Sequence, residues 1–74
     1  MSKPPVGNHL RRLRFEHGEL SQEALARRVG ITRQTVIAIE GGRYAPSLEL
    51  AMRLARSFGL SVDEVFFWIE PPGG

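Results

Sequence analysis

The sequence has no cysteine, a single lysine and no long apolar run. Without cysteine it can form no disulfide, no thiolate zinc site and no cysteine nucleophile. Its longest apolar run, Val65 to Ile69, is far shorter than the roughly 20 residues that span a bilayer. The first residues, Met1 to Pro5, lack the apolar stretch of a signal peptide. We therefore expect a soluble, cytoplasmic protein with no membrane partner.

The motifs of catalysis and metal binding are also missing. The two histidines, His9 and His17, are accompanied by no cluster of carboxylates. No glycine-rich phosphate loop, HExxH sequence or nucleophile motif occurs. A chain of 74 residues also has little room to enclose a substrate pocket. We expect no enzymatic activity, no metal, no cofactor and no small-molecule ligand.

The composition is that of one small globular domain with an uneven charge. The 74 residues are 42% apolar and 24% charged, which is typical of a folded chain. Residues 1–43 contain eight basic and four acidic side chains, a formal charge of +4, whereas residues 44–74 carry −2. The basic half favours a polyanionic partner. A solvated surface with a chance asymmetry explains the same charges equally well.

The spacing of apolar residues is helical throughout and predicts an all-α, compact five-helix bundle. Prolines and glycines near the ends predict a flexible arm over residues 1–7 and a flexible tail over residues 70–74, which leaves a domain over 8–69. Serine, threonine and glycine residues mark most helix boundaries. The five helices are predicted to span Asn8 to His17, Ser21 to Gly30, Thr32 to Gly41, Ser47 to Gly59, and Ser61 to Ile69.

The second and third helices are joined by a short turn around Gly30 and Ile31. Two helices connected by a glycine-containing turn of three or four residues form a helix-turn-helix unit. Ala26 is small enough to let the two helices approach closely. Val36 and Ile39 then face inward from the third helix, which completes the pattern.

The outward face of the third helix has an unusual composition. It carries Arg33, Gln34, Ile37 and Ala38, with no lysine or glutamate between them. Arginine pairs with guanine, glutamine pairs with adenine, and small apolar groups contact the methyl of thymine. These four residues are therefore the predicted base contacts. The alternative is that Arg33 and Gln34 are merely exposed and Ile37 completes a core contact.

The stretch SQEALARRVGITRQTVIAIE, Ser21 to Glu40, followed by GGRYAPSLE, resembles the Cro/repressor-type helix-turn-helix family, also called the xenobiotic-response-element family. The resemblance covers residues 8–69. It implies a lambda-repressor-like fold that binds duplex DNA and reads the major groove with the third helix, over residues 32–41. The function it implies is transcriptional regulation, with repression as the expected mode. Gly41 and Gly42 depart from the family's usual polar residue followed by glycine.

The resemblance also implies roles for individual residues. Gln22, Thr32 and Arg43 match family positions that contact DNA phosphates. Arg14 and Glu40 match a structural ion pair between the first and third helices. The alternative for Gln22 and Arg43 is that they are polar side chains that contact only water, and the alternative for Thr32 is that it only caps the helix.

Phe67 and Trp68 fall outside the core-facing stripe of the predicted fifth helix. Large apolar side chains on a wet face indicate a buried contact with another chain. We therefore expect a homodimer that joins through Phe67 and Trp68 and reads a near-palindromic operator. The alternative is that the helix stops near Phe66 and the last residues fold over the monomer's own core. The alternative function is that of an antitoxin or coactivator-like module that holds a partner protein.

Overall fold

The computed structural model describes residues 4–69, and within them five helices are framed by two short strands. The predicted tail, 70–74, and the first three residues of the predicted arm lie outside the described residues. Along the chain the elements are β1 Val6–Asn8, α1 Leu10–Glu16, α2 Gln22–Val29, α3 Arg33–Glu40, α4 Leu48–Ser57, α5 Val62–Val65 and β2 Phe66–Trp68.

The helices α2 to α5 begin at hydroxyl N-caps, as the sequence predicts. The side chains of Ser21, Thr32 and Ser47 accept hydrogen bonds from backbone N–H groups three residues further on, at 3.0, 3.2 and 3.2 Å. Each bond satisfies a donor that the first turn of a helix leaves free. Between α2 and α3, Gly30 adopts a left-handed conformation with φ +79°, which turns the chain within three residues.

The glycine pair after α3 closes the helix in a defined way. Gly42 has φ +74°, its N–H donates to the Ile39 carbonyl at 3.0 Å, and the Arg43 N–H donates to the Ala38 carbonyl at 3.0 Å. This is the Schellman arrangement, in which a left-handed residue follows the helix. The positive φ at position 42 therefore requires glycine there, and the chain continues from the helix to Arg43 in a fixed direction.

The core is formed by the inward faces of all five helices and the first residue of β2. Val36 and Ile39 of α3 are almost fully buried, as predicted. They pack in one cluster with the other buried apolar residues: Leu10, Leu13, Leu25, Ala26, Val29, Ala51, Leu54, Ala55, Phe58, Val65 and Phe66. No helix within residues 4–69 is both long and apolar enough to cross a membrane.

The prediction of an all-α domain is wrong at both ends. Phe66 leaves the helix with φ −113° and ψ 147°, and residues 66–68 pair antiparallel with residues 6–8. The aromatic residues favour strand geometry, and β1 provides the backbone hydrogen bonds that a longer α5 would otherwise have made. The last two positions of the predicted arm, Val6 and Gly7, therefore lie in a strand. Ile69, predicted as the last residue of the fifth helix, lies beyond β2 and is 46% exposed.

The start of α5 provides a pH-dependent prediction. The Glu64 carboxylate accepts hydrogen bonds from the backbone N–H and the hydroxyl of Ser61 at 2.9 and 3.0 Å. These bonds, the backbone one first, lower the pKa of Glu64 below its ordinary value of 4.5. Because the pKa is lowered in the folded state, the stabilisation is present at neutral pH and is lost as the pH falls from 4.5 through the lowered pKa.

We expect Glu64→Gln to remove this dependence of stability on pH in the acidic range. Thermal melts between neutral and acidic pH should show wild type losing stability, relative to the variant, as the pH falls below 4.5. Asp63→Asn is the matched control, because Asp63 makes no side-chain hydrogen bond within residues 4–69. If the stabilities of wild type and Glu64→Gln change in parallel with pH, Glu64 does not contribute in this way.

Candidate nucleic-acid interface

The outer face of α3 is accessible along its whole length. Arg33 and Gln34 are exposed in the first turn, and Ile37 and Ala38 are half-buried in the next turns. Val36, between them in sequence, is fully buried on the opposite side. The structure therefore places all four predicted base-contacting residues on the one side of α3 that the core leaves free.

An exposed aromatic side chain lies beside this face. Thr32, Gln34, Thr35, Ala38 and Tyr44 line a shallow cleft of about 370 Å³. Tyr44 is 46% exposed and offers both a ring and a hydroxyl at the edge of α3. Tyr44 is not among the residues predicted from the sequence, although an aromatic residue directly after Arg43, in the loop that follows α3, was a usable signal.

Arg14 and Glu40 form a paired contact across the domain. Arg14 Nε donates to Glu40 Oε2 at 2.6 Å, and Arg14 Nη2 donates to Glu40 Oε1 at 3.0 Å. The third guanidinium nitrogen, Nη1, donates to the Leu20 carbonyl at 2.9 Å. The two side chains are only 12% and 9% exposed. Such a two-pronged pair fixes the end of α3 against α1.

Gln22 joins the same network. Its Nε2 donates to Glu40 Oε1 at 3.2 Å, so that Glu40 links the first turn of α2 to α1 and α3. The reverse orientation of the amide would place its oxygen against the carboxylate, acceptor against acceptor, so Glu40 fixes the amide direction. The charge of Glu40 is compensated by Arg14, and the carboxylate therefore repels an approaching phosphate only weakly.

This network borders a concave surface of the domain. It is a cleft of about 640 Å³ whose lining includes Arg11, Arg33 and Gln22 beside the start of α2. Exposed guanidinium groups and the free N–H groups of a helix start both attract anions. Glu23 also lines the cleft, so it is the side at Arg11 and Arg33, next to the first turn of α3, that suits a phosphate group of a nucleic-acid backbone.

Thr32 and Arg43 lie at opposite ends of α3. The Thr32 oxygen caps the helix by accepting from the Thr35 N–H at 3.2 Å, and it lies 2.9 Å from the Thr35 hydroxyl. When Thr35 donates in that contact, the Thr32 hydroxyl proton is free to bond a phosphate. Arg43 is exposed just beyond the left-handed Gly42. The capping role of Thr32 is thus observed, and a phosphate contact in addition is compatible with it.

A second group of arginines lies away from α3. Arg27, Arg28, Arg53 and Arg56 line a surface depression of about 480 Å³ at the carboxyl ends of α2 and α4. Cations stabilise the carboxyl end of a helix, which accounts for three of them. Arg53 pairs with Glu49 at 2.6 Å and reaches the Val29 carbonyl at 3.4 Å. These charges have a structural explanation within the domain.

Phe67 and Trp68 are not brought onto one face. Successive residues of a strand point to opposite sides, so Phe67 shares its side with Ile69 while Trp68 shares its side with the buried Phe66. Phe67 lies against Gly7 and stacks on His9 with ring centroids 4.7 Å apart. Both residues are exposed, at 42% and 65%. The prediction that both lie on a fifth helix is therefore wrong, because that helix ends at Val65, close to the alternative end near Phe66.

The two histidines have packing partners. His9 lies against Phe67, and the His17 ring meets Phe58 edge-on at 5.0 Å while its Nδ1 is 2.8 Å from the Leu13 carbonyl oxygen. Within residues 4–69 no group of three or more histidine, aspartate or glutamate side chains could hold a metal ion.

The sequence model of the helix-turn-helix family matches residues 10–65. The chain belongs to the helix-turn-helix family. An uncharacterized HTH-type transcriptional regulator of Methanocaldococcus jannaschii is 46% identical over 61 residues, 82% of this chain and 91% of that protein. The cryptic phage CTXphi transcriptional repressor RstR of Vibrio cholerae is 36% identical over 56 residues, 76% of this chain and 50% of that protein.

The fold agrees with that of a solved structure. The hypothetical transcription factor NHTF from Neisseria matches with a TM-score of 0.68 and 32% identity, over 85% of this chain and 68% of that chain. The family match begins at Leu10 and ends at Val65, so β1 and β2 lie just outside it. The two strands therefore flank the segment that the family model covers.

Proposed function

We propose that this helix-turn-helix protein is a transcriptional repressor that binds a near-palindromic duplex DNA operator as a homodimer. The observation that carries the proposal is the free face of α3, where Arg33 and Gln34 are exposed beside Ile37 and Ala38. The acidic residue at the end of the same helix, Glu40, is compensated by Arg14. The face is therefore positively charged and suited to the major groove.

The residue types assign the base contacts. Arg33 offers two parallel donors to a guanine, and Gln34 offers a donor and an acceptor to an adenine. Ile37 and Ala38 fit beside a thymine methyl. Both polar residues stand in the first turn of α3, the part of the recognition helix that approaches base edges in helix-turn-helix complexes.

The phosphate contacts are assigned to Gln22, Thr32 and Arg43. Gln22 lies in the cleft beside Arg11 and Arg33, and one N–H of its amide is free once the other is held by Glu40. Thr32 and Arg43 flank α3 at its two ends. Contacts on both sides of the helix would fix its angle in the groove without reading sequence.

The homodimer is proposed to join through the edge of β2. Within residues 4–69, β2 is paired on one side only, with β1. Because Phe67 and Trp68 point to opposite faces, both contribute to one interface when the second copy covers the strand edge. A two-fold dimer that presents its recognition helices about 34 Å apart reads two half-sites separated by one turn of DNA.

Repression follows from occupancy of the operator, since a protein that fills the major groove at a promoter excludes other proteins from it. The repressor name of the Vibrio relative supports this mode. The alternative of an antitoxin or coactivator-like module is not favoured, because the relatives are named as regulators of transcription. Selection of bound sites from random duplex DNA, followed by transcription from a template with the selected operator, tests the proposal directly.

Two arginine variants separate base reading from phosphate binding. We expect Arg33→Ala to weaken operator binding by about 1–3 kcal/mol and to relax the base preference at one position in each half-site. Arg43→Ala should weaken operator and unrelated DNA alike and lower the salt slope of binding by about one. Titrations on operators with single base changes, at several salt concentrations, measure both effects. Equal losses on all sequences for both variants would show that Arg33 contacts only phosphate.

A further inference from the structure

Asn8, the last residue of β1, makes two side-chain hydrogen bonds in different directions. Its Oδ1 accepts from the Leu10 N–H at 3.1 Å, at the start of α1. Its Nδ2 donates to the carbonyl of Ile39, near the end of α3, at 2.9 Å. If the amide oxygen and nitrogen of Asn8 were exchanged, the nitrogen would face the Leu10 N–H and the oxygen would face the Ile39 carbonyl. Neither contact would be a hydrogen bond, so the orientation of this side chain is fixed.

The two bonds have separable consequences. The bond to Leu10 satisfies a free N–H in the first turn of α1, which is a capping role. The bond to Ile39 is not needed to end α3, because the Ile39 carbonyl already accepts from the Gly42 N–H at 3.0 Å. The second bond instead holds α3 in a fixed position relative to β1. Within residues 4–69 it is the one hydrogen bond between α3 and the β1–β2 sheet.

We infer that Asn8 is a positioning residue that fixes the recognition helix relative to the dimer-forming sheet and thereby sets the half-site spacing of the operator. The inference rests on the homodimer proposed above. β1 carries Asn8 and pairs with β2, where Phe66 lies opposite Asn8 and is followed by the exposed Phe67 and Trp68. A rigid path thus runs from the proposed interface through β1 and Asn8 to the end of α3.

Asn8→Asp tests the path, because it removes the donor to Ile39 and keeps an acceptor for Leu10. Its carboxylate would also face the Ile39 carbonyl, acceptor against acceptor. Asn8→Ser is a second, uncharged variant that keeps a capping oxygen but is too short to span the same distance. Asn8→Ala loses both bonds and serves as the comparison for a general loss of stability.

The measurement is the affinity of the full chain for palindromic operators whose half-sites are one base pair closer, optimally spaced or one base pair further apart. One base pair moves a half-site by about 3.4 Å and rotates it by about 34°. We expect wild type to prefer the optimal spacing by about tenfold or more, and Asn8→Asp to reduce this ratio to about threefold or less. Asn8→Ser should give the same result if Asn8→Asp does not fold.

A merely structural role for Asn8 would weaken binding at all three spacings equally. Retention of the wild-type spacing ratio in both variants would overturn the inference and leave the proposed function intact. A wild type that binds a single half-site as tightly as a palindrome would instead overturn the homodimer, and the role of Asn8 with it. Binding to one half-site should change little in either variant if the inference is correct.

Discussion

Glu40→Ala is expected to lower the free energy of unfolding by about 3–5 kcal/mol, a large part of the total stability of a small domain. Arg14 and Glu40 are 12% and 9% exposed, so removal of the carboxylate leaves a guanidinium with little access to water. The Gln22 amide loses its acceptor at the same time. Urea unfolding followed by circular dichroism measures the change, and the thermal midpoint should fall by more than about 10 °C.

The domain contains a matched control for this experiment. Glu49 and Arg53 also approach within 2.6 Å, but their side chains are 75% and 54% exposed. Exposed pairs contribute only about 0.2–1 kcal/mol, so Glu49→Ala should change the stability little. Addition of Arg14→Ala to Glu40→Ala should recover part of the loss, because the unpaired charge is then removed. A Glu40→Ala protein as stable as Glu49→Ala would show that burial does not strengthen the Arg14–Glu40 pair.

The helix-turn-helix core could be predicted because its signals are local. Ser21 and Thr32 are hydroxyl residues immediately before helices, and Gly30 stands where the chain needs a positive φ. Such features are present in a few neighbouring residues and require no knowledge of the rest of the fold. The inward position of Val36 and Ile39 follows in the same way from helical spacing.

The contact between Arg14 and Glu40 is of a different kind, since 26 residues separate them. No spacing rule joins two such positions, and only the family resemblance indicated the pair. The side-chain bond of Asn8 to Ile39 could be predicted neither from residue spacing nor from the family resemblance. This bond crosses 31 residues, and β1 lies outside the segment that the family match covers.

The sheet was missed because three-residue strands carry no periodic signal. Phe66, Phe67 and Trp68 are all apolar, and such a run fits a helix face or a strand equally well. The outcome depends on β1, nearly 60 positions earlier in the chain, which provides the pairing partner. A continued helix would also keep Phe66 in the core and turn Phe67 outward, so the burial of these two residues does not distinguish a helix from a strand.

Trp68→Glu is expected to convert the proposed homodimer into a monomer. The Trp68 side chain is 65% exposed and contributes little to the monomer core, so the substitution should affect the interface far more than the fold. Loss of the dimer should weaken binding to the palindromic operator by about 100-fold or more, with binding to a single half-site unchanged. Sedimentation equilibrium at micromolar concentrations, with operator titrations alongside, measures both effects.

Leu48→Glu is the matched control, because Leu48 is a large apolar residue 72% exposed on α4, away from the sheet. The Leu48→Glu protein should dimerise like wild type. Trp68 is also the single tryptophan of the chain, so its emission should shift to shorter wavelength as wild type is concentrated and the ring becomes buried. A wild type that remains monomeric, or a Trp68→Glu protein that dimerises equally well, would contradict the proposed interface.

Phe67→Glu should differ from Trp68→Glu in its thermal stability. The difference distinguishes the face of β2 that packs within the monomer from the face that contributes only to the proposed interface. Phe67 lies over Gly7 and stacks on His9, so a carboxylate in its place also removes contacts within the monomer. We therefore expect Phe67→Glu to reduce thermal stability as well as dimerisation, while Trp68→Glu reduces dimerisation alone. Equal stability losses in the two variants would indicate that both side chains support the sheet itself and that the second copy binds elsewhere.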